Sequence, residues 1–342
     1  MPRIRPEDDR VHKPPNNPRW RESYYWTFFD PEAEIGGFTS IGKRAAKGYT
    51  GSINCIWGPG IPTLMATEYG SEKSHTDDYS LAGLRYLSRA PFGPWELSFD
   101  GLLNEGGTGI ECDQGALGPT APSPVREASS APKVSVHYEL IFTPDHEPYL
   151  YEAREEWQDL FDGHYDEVGR VEGEIEIEGK HFEIKGRGMK DHSWGVRDWF
   201  KPTDWRWTEV LALDGPAVTM WQVNFGRDSV RDGAIHDSSG VETVTSYDER
   251  VEYRDENGER EGKPLPLAIE FKAGAASHHV AGRGEVVRVV PIIFHRDVDG
   301  ARETSWNDRA LVRFEMEHGE TAWANVEFLS LLPDSRDEAP GS

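Results

Sequence analysis

Residues 310–328 read ALVRFEMEHGETAWANVEF, and this stretch decides the fold class. Ala310, Val312, Phe314 and Met316 recur at every second position up to His318-Gly319, and Ala322, Ala324, Val326 and Phe328 recur in the same way beyond it. A period of two puts one face of each strand in a core and the other in water, so the stretch is an antiparallel hairpin. The pattern returns in Val171–Gly188, VEGEIEIEGKHFEIKGRG, where Ile175 and Ile177 share a face, as do Phe182 and Ile184 after a Gly-bearing turn. Thr208–Phe225 repeats it around Asp214-Gly215, and Val251–Leu267 carries an Asn257-Gly258 turn, a strong hairpin signal. Helix signals are scarce, the best being roughly 147–161, where Leu150, Trp157 and Phe161 recur near a helical period. The expected fold is therefore all-β and antiparallel, built as barrels or sandwiches.

The chain has 342 residues, more than one ordinary core, and two domains are expected. Lys plus Arg number 37 against 61 Asp plus Glu, a net charge of −24, which argues against nucleic acid and against a polybasic contact with anionic lipid. Twelve Trp, 12 Tyr and 14 Phe supply flat apolar surface for large β cores or for a pocket that takes a bulky hydrophobic ligand. Cys55 and Cys112 are too few for a disulfide framework, although one bridge between them stays open. Residues 1–17 lack an apolar signal-peptide core and no window is long and apolar enough for a membrane span, so a cytoplasmic protein is expected. Residues 1–19, Pro-rich and charged, read as a tail that wraps or frays, and Asn104–Lys133 as a long loop.

Several chemistries are absent. Gly186-Arg187-Gly188 begins like a dinucleotide loop, but Asp191 stands where the third Gly belongs and no helix follows; no phosphate loop, G-x-S-x-G or H-E-x-x-H occurs. His278 and His279 are adjacent, so on a strand they point to opposite faces and do not serve one ion. No metal and no cofactor is expected. The outstanding segment is Gly186–Trp199, GRGMKDHSWGVRDW, continuing as KPTDWRW to Trp207. It gathers Asp191, His192, Ser193, Arg197 and Asp198 with Trp194, Trp199, Trp205 and Trp207. A carboxyl group in an apolar aromatic wall resists ionising and can act as a general acid, while indole faces stabilise a developing cation. The same residues also suit a structural plug, with Arg197 stacked on indole and bonded to Asp191. On the strand before it, Glu22, Tyr24 and Trp26 share one face and Tyr25 takes the other; Trp207 and Glu209 share a face after it, which makes Glu209 a candidate second carboxylate. His75, Asp77, Asp78 and Tyr79 form a polar cluster read as a loop or lid.

Glu22–Trp26 (ESYYW), Gly36-Gly37-Phe38 and the Gly188–Trp199 run GMKDHSWGVRDW resemble the superfamily around carotenoid 1,2-hydratase, or hydroxyneurosporene synthase. That superfamily also takes in bacterial proteins of unknown function and, more distantly, fungal lipocalin-like Diels–Alderases. The resemblance implies two tandem lipocalin-like antiparallel β-barrel domains, residues 20–200 and 201–335, between tails at 1–19 and 336–342. It implies a hydrophobic cavity near their junction and chemistry without a redox cofactor.

The reading that follows is a cofactor-independent hydratase or dehydratase acting on a small hydrophobic substrate, terpenoid or polycyclic. Asp191 or Asp198 is the expected proton donor, His192 orients or relays, and Arg197 fixes a carboxylate or a substrate oxygen. Trp194, Trp199, Trp207, Tyr24, Trp26 and Glu209 are the expected substrate-binding residues. An isomerase or pericyclase, or a non-catalytic carrier, are the alternatives for the same cavity, and a homodimer is the candidate assembly.

Overall fold

The computed structural model describes residues 4–71, 79–106, 110–113, 131–152, 154–155, 160–253, 265–298 and 301–331. Among them there is no α-helix, and strands dominate. The first sheet holds β1 (Trp20–Asp30), β2 (Ile35–Arg44), β3 (Tyr49–Gly58), β4 (Ile61–Ser71), β5 (Tyr79–Leu81), β6 (Leu84–Ser88) and β7 (Trp95–Glu105). After β8 (Ile110–Asp113) it continues with β9 (Lys133–Pro144), β10 (Tyr149–Leu150), β11 (Gly163–Ile177) and β12 (Lys180–Val196). Because β9 pairs with both β7 and β11, the order β1-β2-β3-β4-β7-β9-β11-β12 returns to β1 and closes a barrel.

The second sheet contains β13 (Asp204–Ala212), β14 (Ala217–Phe225), β15 (Asp228–Asp237), β16 (Gly240–Thr243), β17 (Ser246–Tyr253), β18 (Pro266–Gly274), β19 (His279–Val298), β20 (Ala301–Met316) and β21 (Thr321–Leu331). It curls in the order β16-β15-β14-β13-β21-β20-β19-β18-β17. The architecture is thus two tandem lipocalin-like β domains. The hairpin read from residues 310–328 is β20–β21, and its two alternating rows are buried together in the second core.

Three cores follow from strand alternation. Tyr24, Trp26 and Phe28 of β1 point into the first barrel, whereas Tyr25 and Phe29 point outward against the second sheet. Val210, Val218, Ile235 and Phe314 fill the second sheet's own concavity. β1 is therefore buried on both faces, and a junction core joins the sheets, with Phe29 stacked on Trp323 at 3.9 Å. A buried aromatic of this kind is worth about 3–5 kcal/mol.

Several expectations need adjustment. The 104–133 excursion is no plain loop: its Ile110–Asp113 segment crosses to the second sheet and pairs parallel with β19, while residues 107–109 and 114–130 lie outside the described residues. In the 147–161 segment, Tyr149–Leu150 forms a strand against β11 instead of a helix, and residues 153 and 156–159 are outside the described set. The Asn257-Gly258 turn also lies outside it, although β17 and β18 pair as a hairpin on either side. So do His75, Asp77 and Asp78, while Tyr79 is buried edge-on to Tyr24. Cys55 is buried and free. Among the described residues no helix is long and apolar enough to cross a membrane.

Candidate active site

The D-H-S-W run lies on β12, which pairs with β1 and β11: Tyr25 and Asp166 face Asp191 across the ladders, and Ser23 and His164 face Ser193. Residues directly opposite in antiparallel strands share a face, so Asp191, Ser193, His164, Asp166 and Tyr25 all point to the junction. His192, Lys190 and Trp194 point the other way, into the first barrel. The strand thereby supplies two separate clusters.

On the junction side, His164 Nε2 forms an ion pair with Asp191 Oδ2 and lies 3.3 Å from Asp166 Oδ1. The Tyr151 ring stacks on the imidazole at 4.3 Å, and its hydroxyl donates to Asp166 Oδ2 at 2.6 Å. Ser193 Oγ donates to Asp191 Oδ1 at 3.3 Å and accepts from Arg197 Nη1. Burial works against a charged imidazole, but the carboxylates outweigh it, Asp191 foremost, and raise the His164 pKa to about 9. Burial would likewise raise Asp191, but the charge and hydrogen bond of His164 hold it below the usual carboxylate range. Asp166, in contrast, is held high by burial. At neutral pH the pair is an imidazolium and a carboxylate.

The opposite wall comes from the second sheet. Arg309 Nη1 donates to the Tyr25 hydroxyl oxygen at 2.9 Å, and Asn325 Nδ2 donates to the same oxygen. With both lone pairs engaged, the Tyr25 proton is left to be donated. Arg309 is anchored by Glu327 Oε2 at 2.6 Å, and Trp205 Nε1 donates to Glu327 Oε1 at 3.0 Å. Trp199, Trp205, Trp207 and Trp221 line the cleft between the walls. It holds about 680 Å³ of unfilled space with its open mouth.

The expected residues divide. Asp191, Arg197, Trp199 and Trp207 meet in the cleft. Asp198 does not: it caps the turn after β12, accepting from the Phe200 backbone N–H at 3.0 Å and facing Arg19. His192, Trp194, Tyr24 and Trp26 lie in the first barrel. There His192 Nε2 is 3.1 Å from Glu22 Oε1, its Nδ1 bonds the Asp8 carbonyl at 2.9 Å, and its ring stacks on Tyr24. Glu209 is buried behind the cleft, where it accepts from Thr27 Oγ1 at 2.6 Å and burial raises its pKa well above the usual range. Arg197 bonds Ser193 rather than Asp191 and stands 5.9 Å from the Trp199 centroid.

The expected tail wraps rather than frays, and it seals the first barrel. Asp9 is buried, 2.7 Å from Lys190 Nζ, accepting from Tyr165 and from the Phe92 N–H at 2.7 Å. His12 bonds Glu22 at 2.8 Å and stacks on Trp194 at 4.0 Å. Lys190, wholly enclosed, also pairs with Glu167.

Sequence reasoning missed His164 and Asp166, yet a signal existed. Counting outward from the Ile177–Lys180 pair at the tip of the β11–β12 hairpin places Asp166 opposite Asp191 and His164 opposite Ser193. Two triads, His164–Asp166–Asp191 and His12–Glu22–His192, bring nitrogen and oxygen donors close enough to share one cation in place of a proton.

Fold and cleft together define a two-domain lipocalin-like protein with a buried histidine–aspartate ion pair at its domain junction. The chain belongs to the family described as a domain of unknown function, DUF7064, which matches residues 5–331. Among solved structures, one described as an AttH from Nitrosomonas europaea is 13% identical, with a TM-score of 0.58 over 92% of this chain and 93% of that one. Kievitone hydratase from Nectria haematococca is 9% identical, with a TM-score of 0.55 over 90% and 88%. CghA with Sch210972 is 8% identical, with a TM-score of 0.53 over 92% and 89%. The resemblance drawn from the motifs is borne out, and at these identities the likeness is one of fold. No curated protein matches the chain.

Proposed function

We propose that the protein is a cofactor-independent hydro-lyase acting on an unsaturated hydrophobic small molecule in the junction cleft. The observation that carries this reading is the buried His164–Asp191 pair opening onto four tryptophans, with the Tyr25 hydroxyl opposite. Asp191, held ionised, is the base that takes a proton from water as the oxygen bonds to one alkene carbon. His164, holding its proton up to about pH 9, gives it to the other carbon. The next exchange along the His164–Asp191 hydrogen bond restores both groups, and dehydration is the reverse. The pair replaces the expected roles of Asp191 as acid and His192 as relay.

An acid this weak does not protonate an isolated alkene, so the double bond is conjugated to a carbonyl whose oxygen the Tyr25 hydroxyl binds. The aromatic walls exclude competing water and strengthen these contacts. A terpenoid or polycyclic framework fits the walls where it is flat. Support also comes from the shared fold of kievitone hydratase, itself a hydratase by name.

The test is to incubate the protein with conjugated and hydroxylated terpenoids in isotopically labelled water and to follow label uptake by mass spectrometry. Wild type should incorporate label, and Asp191→Asn should lose about 10²–10⁴-fold in turnover while binding persists. Undiminished rates in both Asp191→Asn and His164→Gln sink the assignment. A pericyclase or isomerase in the same cleft, supported by the shared fold of CghA with Sch210972, predicts a flat pH–rate profile and an active Asp191→Asn. A carrier predicts binding with no turnover.

A further inference from the structure

The cleft carries two guanidinium groups that this proton chemistry leaves unused. Arg21 and Arg197 flank one indole, with Cζ 4.8 Å and 5.9 Å from the Trp199 ring centroid, and both line the cleft. Arg197 gives one N–H to Ser193, and its Nε–H has no partner. Among the described residues, the Arg21 side chain has no hydrogen bond and neither arginine has a carboxylate at ion-pair distance. The nearest acids on the walls are already committed, Asp191 to His164 and Glu327 to Arg309. Arg44 lines the adjoining hollow with Arg21, adding a third cation to that flank. Burial and the like charges of Arg44 and Arg197 push the Arg21 pKa down to about 9.

Arg197 feels the charges of Asp191 and Glu327, but among the described residues no acid offsets Arg21, and this is an unusual place to lack a counter-charge. Asp and Glu outnumber Lys and Arg by 61 to 37 in the chain, so acids are not scarce. Partly buried like charges repel and desolvate at a cost that stacking on one indole only partly offsets. A guanidinium fork matches the two oxygens of a carboxylate or phosphate, and a ligand bearing one would supply the missing charge.

We propose that Arg21 and Arg197 form an oxyanion-binding end of the cleft, so that the substrate is an amphipathic molecule with a carboxylate or phosphate at one end. Its unsaturated body lies along Trp199, Trp205 and Trp207 and reaches the His164–Asp191 pair. This rests on the junction cleft being the substrate site. A purely structural role for the two arginines, stacking on Trp199 to close the barrel, predicts no preference among head groups.

The experiment is isothermal titration of the full-length protein with geraniol, geranate and geranyl phosphate, which share one hydrophobic body. Wild type should bind at least one of the anions about tenfold or more tighter than the alcohol, and the carboxylate and phosphate arms identify which oxyanion fits. Added sodium chloride should weaken the anion and leave the alcohol unchanged. Arg21→Met should erase the preference, keep the affinity for geraniol, and raise the melting temperature of the free protein by relieving repulsion. Equal affinities for alcohol and anions in wild type, or no binding of either anion, overturn the proposal without any variant. A retained preference in a folded Arg21→Met overturns it as well. Asp191→Asn should keep the head-group preference, so loss of the hydro-lyase reading and loss of this one give different results.

Discussion

The proton on His164 is a stability element as well as a candidate catalytic acid, and its contribution can be worked out. The imidazole is buried against Tyr151, Phe161, Trp207 and Trp221, and is faced by Asp191 from β12 and Asp166 from β11, with Arg197 acting on Asp191 from beyond. A rise from 6.5 to about 9 corresponds, at about 1.4 kcal/mol per pH unit, to roughly 3 kcal/mol of stability. The folded pKa lies above the unfolded one. The contribution is therefore complete below about pH 6.5 and drains away as the pH climbs through about 9. The low value of Asp191 is the same interaction seen from its partner and is not added. Urea unfolding of wild type and of His164→Asn, measured from about pH 6 to 10, gives the difference directly. Arg21 titrates in the same window with the opposite sign, but it is present in both proteins and cancels. Wild type should lose roughly 3 kcal/mol more than the variant across this range, and any alkaline limb of activity should fall near the same pH. Parallel stability curves for the two proteins would refute a charged His164.

Two further substitutions test the other face of β12. Lys190→Met leaves the carboxylates of Asp9 and Glu167 buried without their cation, and should cost about 3–5 kcal/mol. Limited trypsin digestion should then cut at Arg10, since the N-terminal segment loses its anchor; an unchanged melting temperature and an intact segment would show the pair to be incidental. Gly163→Ala would set a methyl group 2.1 Å from Trp194 Cζ2, so the indole must leave its stack on His12, at about 1–3 kcal/mol. A melting curve matching wild type would contradict that packing.

The fold was legible because alternation is a local signal. The rows at Ala310–Met316 and Ala322–Phe328 are buried together as read, and Tyr24 and Trp26 separate from Tyr25 as the period of two requires. The His164–Asp191 pair was only half legible. Asp191 stood out among aromatics, but its pKa depends on a histidine 27 positions earlier that only the hairpin register brings alongside. Asp198 illustrates the opposite failure: two acids in one motif look equivalent, yet the strand ends at Val196 and the second acid turns to cap the chain. The N-terminal segment reads as a tail that wraps or frays because its composition is polar, and composition does not choose between the two. The segment's burial comes from long-range contacts, Asp9 with Lys190, Tyr165 and Phe92, and His12 with Glu22 and Trp194, which local patterning does not report.

Alternation also bears on whether the D-H-S-W run is structural or catalytic. Successive residues of one strand serve different compartments, Asp191 and Ser193 the cleft, His192 and Trp194 the sealed barrel. A plug and the proposed acid–base site thus occupy the same four residues without competing for any side chain. The two roles are mechanically joined, since the network holding Glu22, His192 and Lys190 also fixes the backbone that presents Asp191 to His164. Loss of the plug should therefore disturb the site through position and stability together, whereas loss of Asp191 should remove the proposed proton chemistry and leave the barrel closed. On this account the aromatic richness of the segment has two causes, a dry lining for the cleft on one face and a stacked seal of His12 and Trp194 on the other.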